Sequence, residues 1–434
     1  MTYHEALSYL YDRLPVFHRV GVSAYKPGFA NVLALCDVLE NPQHKFRSIH
    51  VGGTNGKGST SHLLASIYQS AGYKVGLYTS PHLQSFTERI RINGEPIPEV
   101  EVVNFVVGQK VIIEEIQPSF FEVTVAMAFD FFARQQVDLA IVEVGLGGRL
   151  DSTNIITPIV SVITNIGWDH VDVLGDTLPL IAAEKAGIIK QNVPVVIGET
   201  NPETAPVFID KALANQASIE FADQSWDLVD GGVREGVRTV ICSALSEADG
   251  RLLEPFQIQL PLIGLYQLHN LKTVLSTIEA AGNLVPVSVQ AIKTGCALVV
   301  AQTKLKGRFQ QLQSTPTVIA DTAHNKPGIT ALLDTVQTMP FSSLRIVVGF
   351  VRDKDVLAVL KLLPANAIYY FCQADSLRAL PASELLNQAT LIGLVGTVYT
   401  TVNDALVAAL DDAEVTDLIL ITGSTYVVAE LNSL

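Results

Sequence analysis

Cysteine is scarce and scattered in this chain of 434 residues. The four, Cys36, Cys242, Cys296 and Cys372, form no C-x-x-C pair. That spacing argues against a disulfide framework or a zinc site and fits a reducing cytoplasm. Cationic charge is also short: 29 Lys and Arg against 43 Asp and Glu leave a formal net charge of −14. A binder of nucleic-acid backbone needs a cationic surface, so no nucleic-acid partner is expected. A small anion such as ATP stays open, because local amides and a metal can hold it. No long apolar run exists either. The richest, 155–166, is broken by Thr157, Pro158, Ser161, Thr164 and Asn165, which leaves no membrane span. The N-terminal MTYHEALSYLYDRL lacks the apolar core of a signal peptide and reads as an amphipathic helix. The chain is expected to be soluble and cytoplasmic, with no internal repeat and no low-complexity tract.

What is present is the composition of a packed protein, 48% hydrophobic and 17% charged. The length suggests two or three domains. Short β-branched runs at 47–51, 74–78, 138–144, 159–163 and 193–197 alternate with helix-length segments at 58–71, 99–116, 122–136 and 177–190. Nearly continuous apolar strands separated by helices predict a mostly parallel sheet covered on both faces. Residues 218–262 are more polar and carry DGG and ADG turns, which predicts a small antiparallel patch. The alternation restarts with strands at 317–320, 344–349, 367–372 and 418–421, predicting a second, smaller doubly wound domain. The polar stretch AQTKLKGR, 301–308, marks the expected boundary, giving domains 1–300 and 301–434.

The segment 47–60, RSIHVGGTNGKGST, runs from strand through glycine loop to helix. In that order, loop amides and the helix N-terminus can cradle phosphate oxygens. Lys57 would reach the outer phosphates, with Thr54, Ser59 and Thr60 as hydroxyl donors or metal ligands. Two positions depart from the common G-x-x-x-x-G-K-[ST] pattern: Val51 replaces the first glycine and Gly58 follows Lys57. A glycine turn with an exposed lysine therefore remains an alternative. Glu143 ends the strand VDLAIVEV, at the edge where open α/β sheets bind ligands; it reads as a holder of Mg²⁺ or as a solvated strand end. His170 follows the strand 159–163 and is equally a ligand or a structural histidine. Lys185 lies in a helix with an apolar face, and by its residues alone it reads as a solvated lysine.

Together these segments resemble the Mur ligase superfamily and, within it, the folylpolyglutamate synthase and dihydrofolate synthase family. The resemblance rests on GTNGKGS at 53–59, YTSPHLQSFTERIRING at 78–94, VEVGLGGRLDSTN at 142–154, DHVDVLGDT at 169–177, EKAGIIK at 184–190, DTAHN at 321–325, GFVRDKD at 349–355 and ITGSTY at 421–426. Glycine after the lysine is that family's own form of the loop. The resemblance implies an N-terminal P-loop-type domain and a C-terminal Rossmann-like α/β domain. It implies that Thr54, Asn55, Gly56, Lys57, Gly58 and Ser59 hold ATP phosphates, and that Asn270, Arg308, Asp321 and His324 serve the nucleotide. Two Mg²⁺ ions are implied, one on Ser80 and Glu143 and one on Glu143 and His170. Lys185 corresponds to a lysine carbamylated by CO₂. Lys57, Glu143, His170, Lys185 and Arg308 would then carry catalysis, with ATP between the domains and the protein a monomer.

The chemistry implied is ATP-dependent joining of L-glutamate to a carboxylate through an acyl phosphate, with ADP and phosphate as products. Arg149 and the segment Leu150-Asp151-Ser152, with Ser119-Phe120-Phe121-Glu122, resemble the pterin-lining parts of enzymes that also accept dihydropteroate. Two places depart from the family. Tyr25-Lys26-Pro27-Gly28-Phe29 lacks the arginine of Gly-Leu-x-Arg, and DTAHNK carries Thr322 and Lys326 where the family has DGAHNP. A folate or dihydropteroate acceptor, a cell-wall precursor and a non-catalytic nucleotide-binding module are three readings with different assays. The short N-terminal region, 1–46, argues against a separate domain for a UDP-sugar.

Overall fold

Strand-forming runs that stay apolar on both faces build a parallel sheet in the first half of the chain. The structure, a computed structural model, describes residues 1–16, 28–245, 254–352 and 355–434. Tyr25-Lys26-Pro27, the ADG turn at 248–250 and Lys354 lie outside the described residues. The chain divides into two compact units. The first comprises Met1–Arg234, Arg238–Pro261 and Leu268–Lys304; the second comprises Glu235–Val237, Leu262–Gln267 and Leu305–Leu434.

In the first unit, β1 (Arg47–Gly52), β2 (Val75–Tyr78), β3 (Ile90–Ile92), β4 (Glu95–Pro96), β5 (Leu139–Glu143), β6 (Val160–Ile163), β7 (Val195–Ile197) and β8 (Ile219–Phe221) form one sheet. Its order is β4-β3-β2-β5-β1-β6-β7-β8. The pairs from β2 through β8 are parallel, and β3 and β4 add an antiparallel edge. Strands β2, β5 and β6 are buried at every position, which their apolar runs require. Register aligns Val51 with Glu143, Tyr78 with Val142 and Gly52 with Ile163. The loops after β1, β2, β5 and β6 therefore leave the sheet at one carboxyl edge. An antiparallel trio follows, β9 (Trp226–Arg234), β10 (Val237–Ala244) and β11 (Phe256–Leu260), in the order β11-β10-β9.

The N-terminal amphipathic helix forms as Tyr3–Arg13. Thr2 and Glu5 close a capping box, and Ala6 and Leu10 are buried. It joins a core with Phe120, Phe129, Phe132 and Val142. The helix expected over 177–190 is shorter, Leu178–Ala186. The chain turns at Gly187, where an added Cβ would lie 2.3 Å from Arg149 Cα. Ile188 and Ile189 thus enter the core from a turn rather than from a helix face. Among the described residues no helix is long and apolar enough to cross a membrane.

In the second unit, β12 (Gln310–Ser314), β13 (Thr317–Ala320), β14 (Leu344–Val348), β15 (Ile368–Phe371), β16 (Gly396–Val398) and β17 (Leu418–Thr422) form a sheet in the order β12-β13-β17-β14-β15-β16. Only the edge strand β12 is antiparallel. Apolar clusters cover both faces, with Ile346 and Leu420 in one and Val347 and Ile421 in the other. Strands β12 and β16 escaped the sequence reading because both are polar edge strands.

The helix that leaves the glycine loop, Lys57–Ser70, is buried along residues 59–68. It packs on the helix Val289–Thr303 at a very close approach. A Cβ on Gly295 would lie 2.4 Å from Ile67 Cα, and Ser66 Oγ sits 2.7 Å from both the Gly295 carbonyl oxygen and Gln302 Oε1. Glycine is required here by backbone contact, so Gly295→Val must push the two helices apart. We expect a loss of about 1–3 kcal/mol, read as a lower urea midpoint at unchanged m-value. An unaltered midpoint would show that this contact does not hold the loop helix.

Candidate active site

The glycine loop begins where β1 ends. Gly53 and Gly56 adopt φ of +138° and +82°, a region that disfavours side chains. Space forbids them as well: a Cβ would meet Thr164 Oγ1 at 1.9 Å or Asn270 Oδ1 at 2.2 Å. The helix Lys57–Ser70 starts at Gly56 without a side-chain cap. Gly58 is half-buried and Ser59 is buried in the first turn.

The residues after β6 brace this loop. The Thr54 amide donates to the Asn165 carbonyl at 2.9 Å, and the Asn55 amide to Asn165 Oδ1 at 2.9 Å. Thr164 Oγ1 donates to the Asn55 carbonyl at 2.5 Å. Thr54 was expected to offer its hydroxyl to phosphate or metal, yet Oγ1 accepts from the Gly167 amide at 3.0 Å and lies 3.3 Å from the Gly167 carbonyl. Thr164 and Asn165 were not singled out in the sequence. Their signal was the TNIG run at the end of an apolar strand.

Two ammonium groups converge on the loop. Lys57 Nζ donates to the carbonyls of Gly53 and Thr54, at 3.1 Å each, and Lys185 Nζ donates to the same Gly53 carbonyl at 2.9 Å. Lys185 is 4% exposed, which overturns its reading as a solvated lysine. The helix Leu178–Ala186 turns this residue inward, into the first unit. Burial, then the charge of Lys57, push its pKa down to about 7, while Asp169 and Asp151 act in the opposite direction.

Glu143, at the end of β5, is 5% exposed and so is not a solvated strand end. Ser80 lies two residues past β2 at the same edge, half-buried. His170 sits in a left-handed turn, φ +51°. Its amide donates to Asp169 Oδ1 at 2.9 Å and its Nε2 is 3.8 Å from Asp169 Oδ2. Among the described residues no group of three or more His, Cys, Asp or Glu side chains is disposed to hold a metal. One carboxylate with a hydroxyl and an imidazole still fits Mg²⁺, which keeps waters and takes nucleotide phosphate oxygens.

The loop after β5 is tied down by Asp151. Its Oδ2 accepts from the Leu146 amide at 2.8 Å, and its Oδ1 from the Thr153 amide at 3.0 Å and from the Thr153 hydroxyl. Burial pushes its pKa up, against these hydrogen bonds. Arg149 is exposed and pairs with Glu184 at 2.8 Å. Leu150 is half-buried and Ser152 buried. Ser119 and Glu122 form a buried capping box: the Ser119 amide donates to Glu122 Oε2 at 2.6 Å and the Glu122 amide to Ser119 Oγ at 3.2 Å. Phe120 is in the core, stacked on Tyr11 at 4.9 Å. Phe121 lies over Gly145, whose Cβ would be 2.4 Å from its ring. Phe121 is thereby brought to the loop after β5, while Phe120 and Glu122 face structural tasks.

Asn270, in the helix Gln267–Ala281, packs on Gly56 within the first unit. In the second unit, Asp321 follows β13 and is buried. It accepts from Tyr266 Oη at 2.6 Å, from the Phe309 amide at 2.7 Å and from the Ala323 amide at 2.8 Å. Arg308 donates to the Gly307 carbonyl at 3.1 Å and to the Thr322 hydroxyl. His324 Nδ1 lies 2.9 Å from the Thr322 carbonyl oxygen. Thr322 is absent from the positive-φ residues, so threonine at this position carries no backbone strain, and its hydroxyl positions Arg308. Tyr266 was missed, although it opens the same YQLHN stretch that pointed to Asn270. Burial, then the Asp321 charge, push its phenol well above the usual range, which keeps it a donor.

Residues 51–278 match the Mur ligase middle domain and residues 307–425 match the Mur ligase, glutamate ligase domain. The chain is 33% identical over 440 residues to the folylpolyglutamate synthase of Lacticaseibacillus casei, covering 98% of this chain and 97% of that protein. It is 33% identical over 447 residues to the dihydrofolate synthase/folylpolyglutamate synthase of Bacillus subtilis (strain 168), covering 99% and 98%. Among solved structures, E. coli FolC in complex with DHPP and ADP superposes with a TM-score of 0.85 at 32% identity, covering 99% of this chain and 96% of that one. An FPGS-AMPPCP-folate complex gives 0.82 at 30% identity, covering 99% and 98%. With both domain matches and relatives that span its length, the chain belongs to the folylpolyglutamate synthase and dihydrofolate synthase family of the Mur ligases.

Proposed function

We propose that this protein extends a folate with L-glutamate at the expense of ATP, and that dihydropteroate is a second acceptor. The observation that carries this reading is the convergence of Lys57 and Lys185 on the Gly53 carbonyl, beside an uncapped helix N-terminus. The Lys57 ammonium at this helix N-terminus calls for an anion, and a nucleotide triphosphate supplies it. Relatives solved in complex with ADP and with AMPPCP support nucleotide binding. Full-length likeness to folate ligases leaves the cell-wall-precursor reading without support.

The chemistry needs no nucleophilic side chain. An oxygen of the acceptor carboxylate attacks the γ-phosphorus of ATP, the bond to the β-phosphate oxygen breaks, and ADP leaves. The glutamate amine then adds to the acyl-phosphate carbonyl, loses a proton, and the tetrahedral intermediate expels phosphate. Lys57 and Arg308 would neutralise the phosphoryl charge, and the loop amides would orient it. Mg²⁺, held through Ser80, Glu143 and His170, would supply further charge neutralisation on the phosphates. Asn270, Asp321 and His324 would position the nucleoside and its surroundings. Phe121 and Leu150, half-buried beside the loop that Asp151 ties down, would offer an apolar wall to the pterin. Four buried free cysteines support a reducing compartment such as the cytoplasm.

A lysine with a pKa near 7 is partly neutral at physiological pH, as carbamylation requires. In that reaction the Lys185 ammonium first gives up one proton; the neutral amine then bonds the carbon of CO₂ and releases a second, so that a cation becomes an anion. Carbamate formation should therefore increase as pH rises through about 7. Activity is expected to fall below that pH and on CO₂ depletion, and to return with bicarbonate. Lys185→Ala should be severely impaired and partly rescued by short carboxylic acids; full activity of this variant would end the carbamate idea.

Lys57→Ala should lower kcat by roughly 10²–10³-fold with the melting temperature kept, measured as glutamate-dependent ADP release. An unchanged kcat would remove the loop from the reaction. Parallel assays with tetrahydrofolate and dihydropteroate should both release ADP. Release with the folate alone would restrict the enzyme to chain extension, and release with neither would reject the function.

A further inference from the structure

His50 is a buried titratable group that none of the chemistry above uses. It lies in the middle of β1, three residues before the glycine loop, and is fully buried. Its Nε2 is 2.8 Å from Thr153 Oγ1, and its Nδ1 is a buried atom with no hydrogen-bond partner. Both oxygens of Asp151 accept backbone amides, from Leu146 and Thr153, so Asp151 acts as the acceptor for the Thr153 hydroxyl. With its proton committed to Asp151, Thr153 Oγ1 must accept from His50. The ring therefore carries its proton on Nε2, and Nδ1 is bare. Burial, then Lys190, push the His50 pKa down to about 3, which keeps the ring neutral.

The result is a one-way chain of donors, His50 to Thr153 to Asp151. It runs from the strand that feeds the phosphate loop to the carboxylate that pins the loop after β5. A leucine of similar size would fill the same place without leaving a buried nitrogen unpaired. The unpaired nitrogen is what the fold tolerates in order to have the Nε2–H. We propose that His50 is a positioning residue for the acceptor: it locks the Thr153 hydroxyl onto Asp151 and so sets the shape of the loop 145–152 against which the pterin acceptor rests. The proposal rests on the reading that this loop lines the acceptor site.

The test compares His50→Leu, which removes the donor, with His50→Gln, whose side-chain amide can restore an N–H. In His50→Leu we expect KM for the folate or dihydropteroate acceptor to rise about tenfold while KM for ATP stays within about twofold, and His50→Gln to recover most of the loss. A role confined to packing β1 would move both KM values together and would not be rescued by glutamine. An unchanged acceptor KM, or equal rises for acceptor and ATP, overturns the proposal. Should His50→Leu fail to fold, Thr153→Val breaks the same link and carries the same comparison. Hydrogen exchange gives a readout independent of turnover. The Leu146 and Thr153 amides, both donated to Asp151, should lose protection about tenfold in His50→Leu. If the parent protein released no ADP with either acceptor, the ligase reading would fail, and exchange alone would decide whether His50 holds this loop.

Discussion

The Gly53 carbonyl is the point on which the first unit is organised. It receives hydrogen bonds from Lys57, in the helix that the loop starts, and from Lys185, in a helix more than a hundred residues later. Burial and the charge of Lys57 both disfavour a second ammonium at this acceptor, which pushes the Lys185 pKa down to about 7. The fold sustains this arrangement because the loop cannot relax away. Gly53 and Gly56 are closed in by Thr164 and Asn270, and the loop amides and carbonyls are held by Thr164 and Asn165. A loop braced on several sides by its neighbours is the consequence.

Sheet order explains how these distant residues meet. Strand β1 lies between β5 and β6, so the ends of three parallel strands deliver the glycine loop, Glu143 and the Thr164–His170 stretch to one edge. Hydrogen bonds then tie these loops both to their neighbours and to themselves. Thr54 reaches Gly167, Asp151 reaches Leu146, and His50 reaches Thr153. Several polar side chains at this edge hold backbone, and both lysines donate to it as well. The second unit follows the same logic on a smaller scale. Asp321 is buried under three donors, and Arg308 is held by the Thr322 hydroxyl.

The family and its phosphate loop were legible in the chain itself. Strand, glycine turn, lysine and helix are local features, and their order in 47–60 needs no tertiary information to be recognised. The parallel sheets were legible for a similar reason, since runs such as LAIV at 139–142 are apolar at every position. Polar edge strands such as β12 and β16 carried no such signal.

What the sequence by itself determined is therefore the set of elements, the loop chemistry and the ligase resemblance, because each is written in contiguous residues. What only the tertiary structure decided is which polar groups are buried and which of them hold the scaffold. Lys185 sits in an apolar-faced helix in either case, and only the packing of that helix on the glycine loop buries its amine and lowers its pKa. Thr54 belongs to the phosphate motif, yet its hydroxyl is turned to Gly167. Tyr266 and His50 are unremarkable in the chain and become donors to Asp321 and Thr153 once the fold brings them together. Burial and partner choice depend on contacts between residues tens to hundreds of positions apart, and no local pattern encodes those contacts.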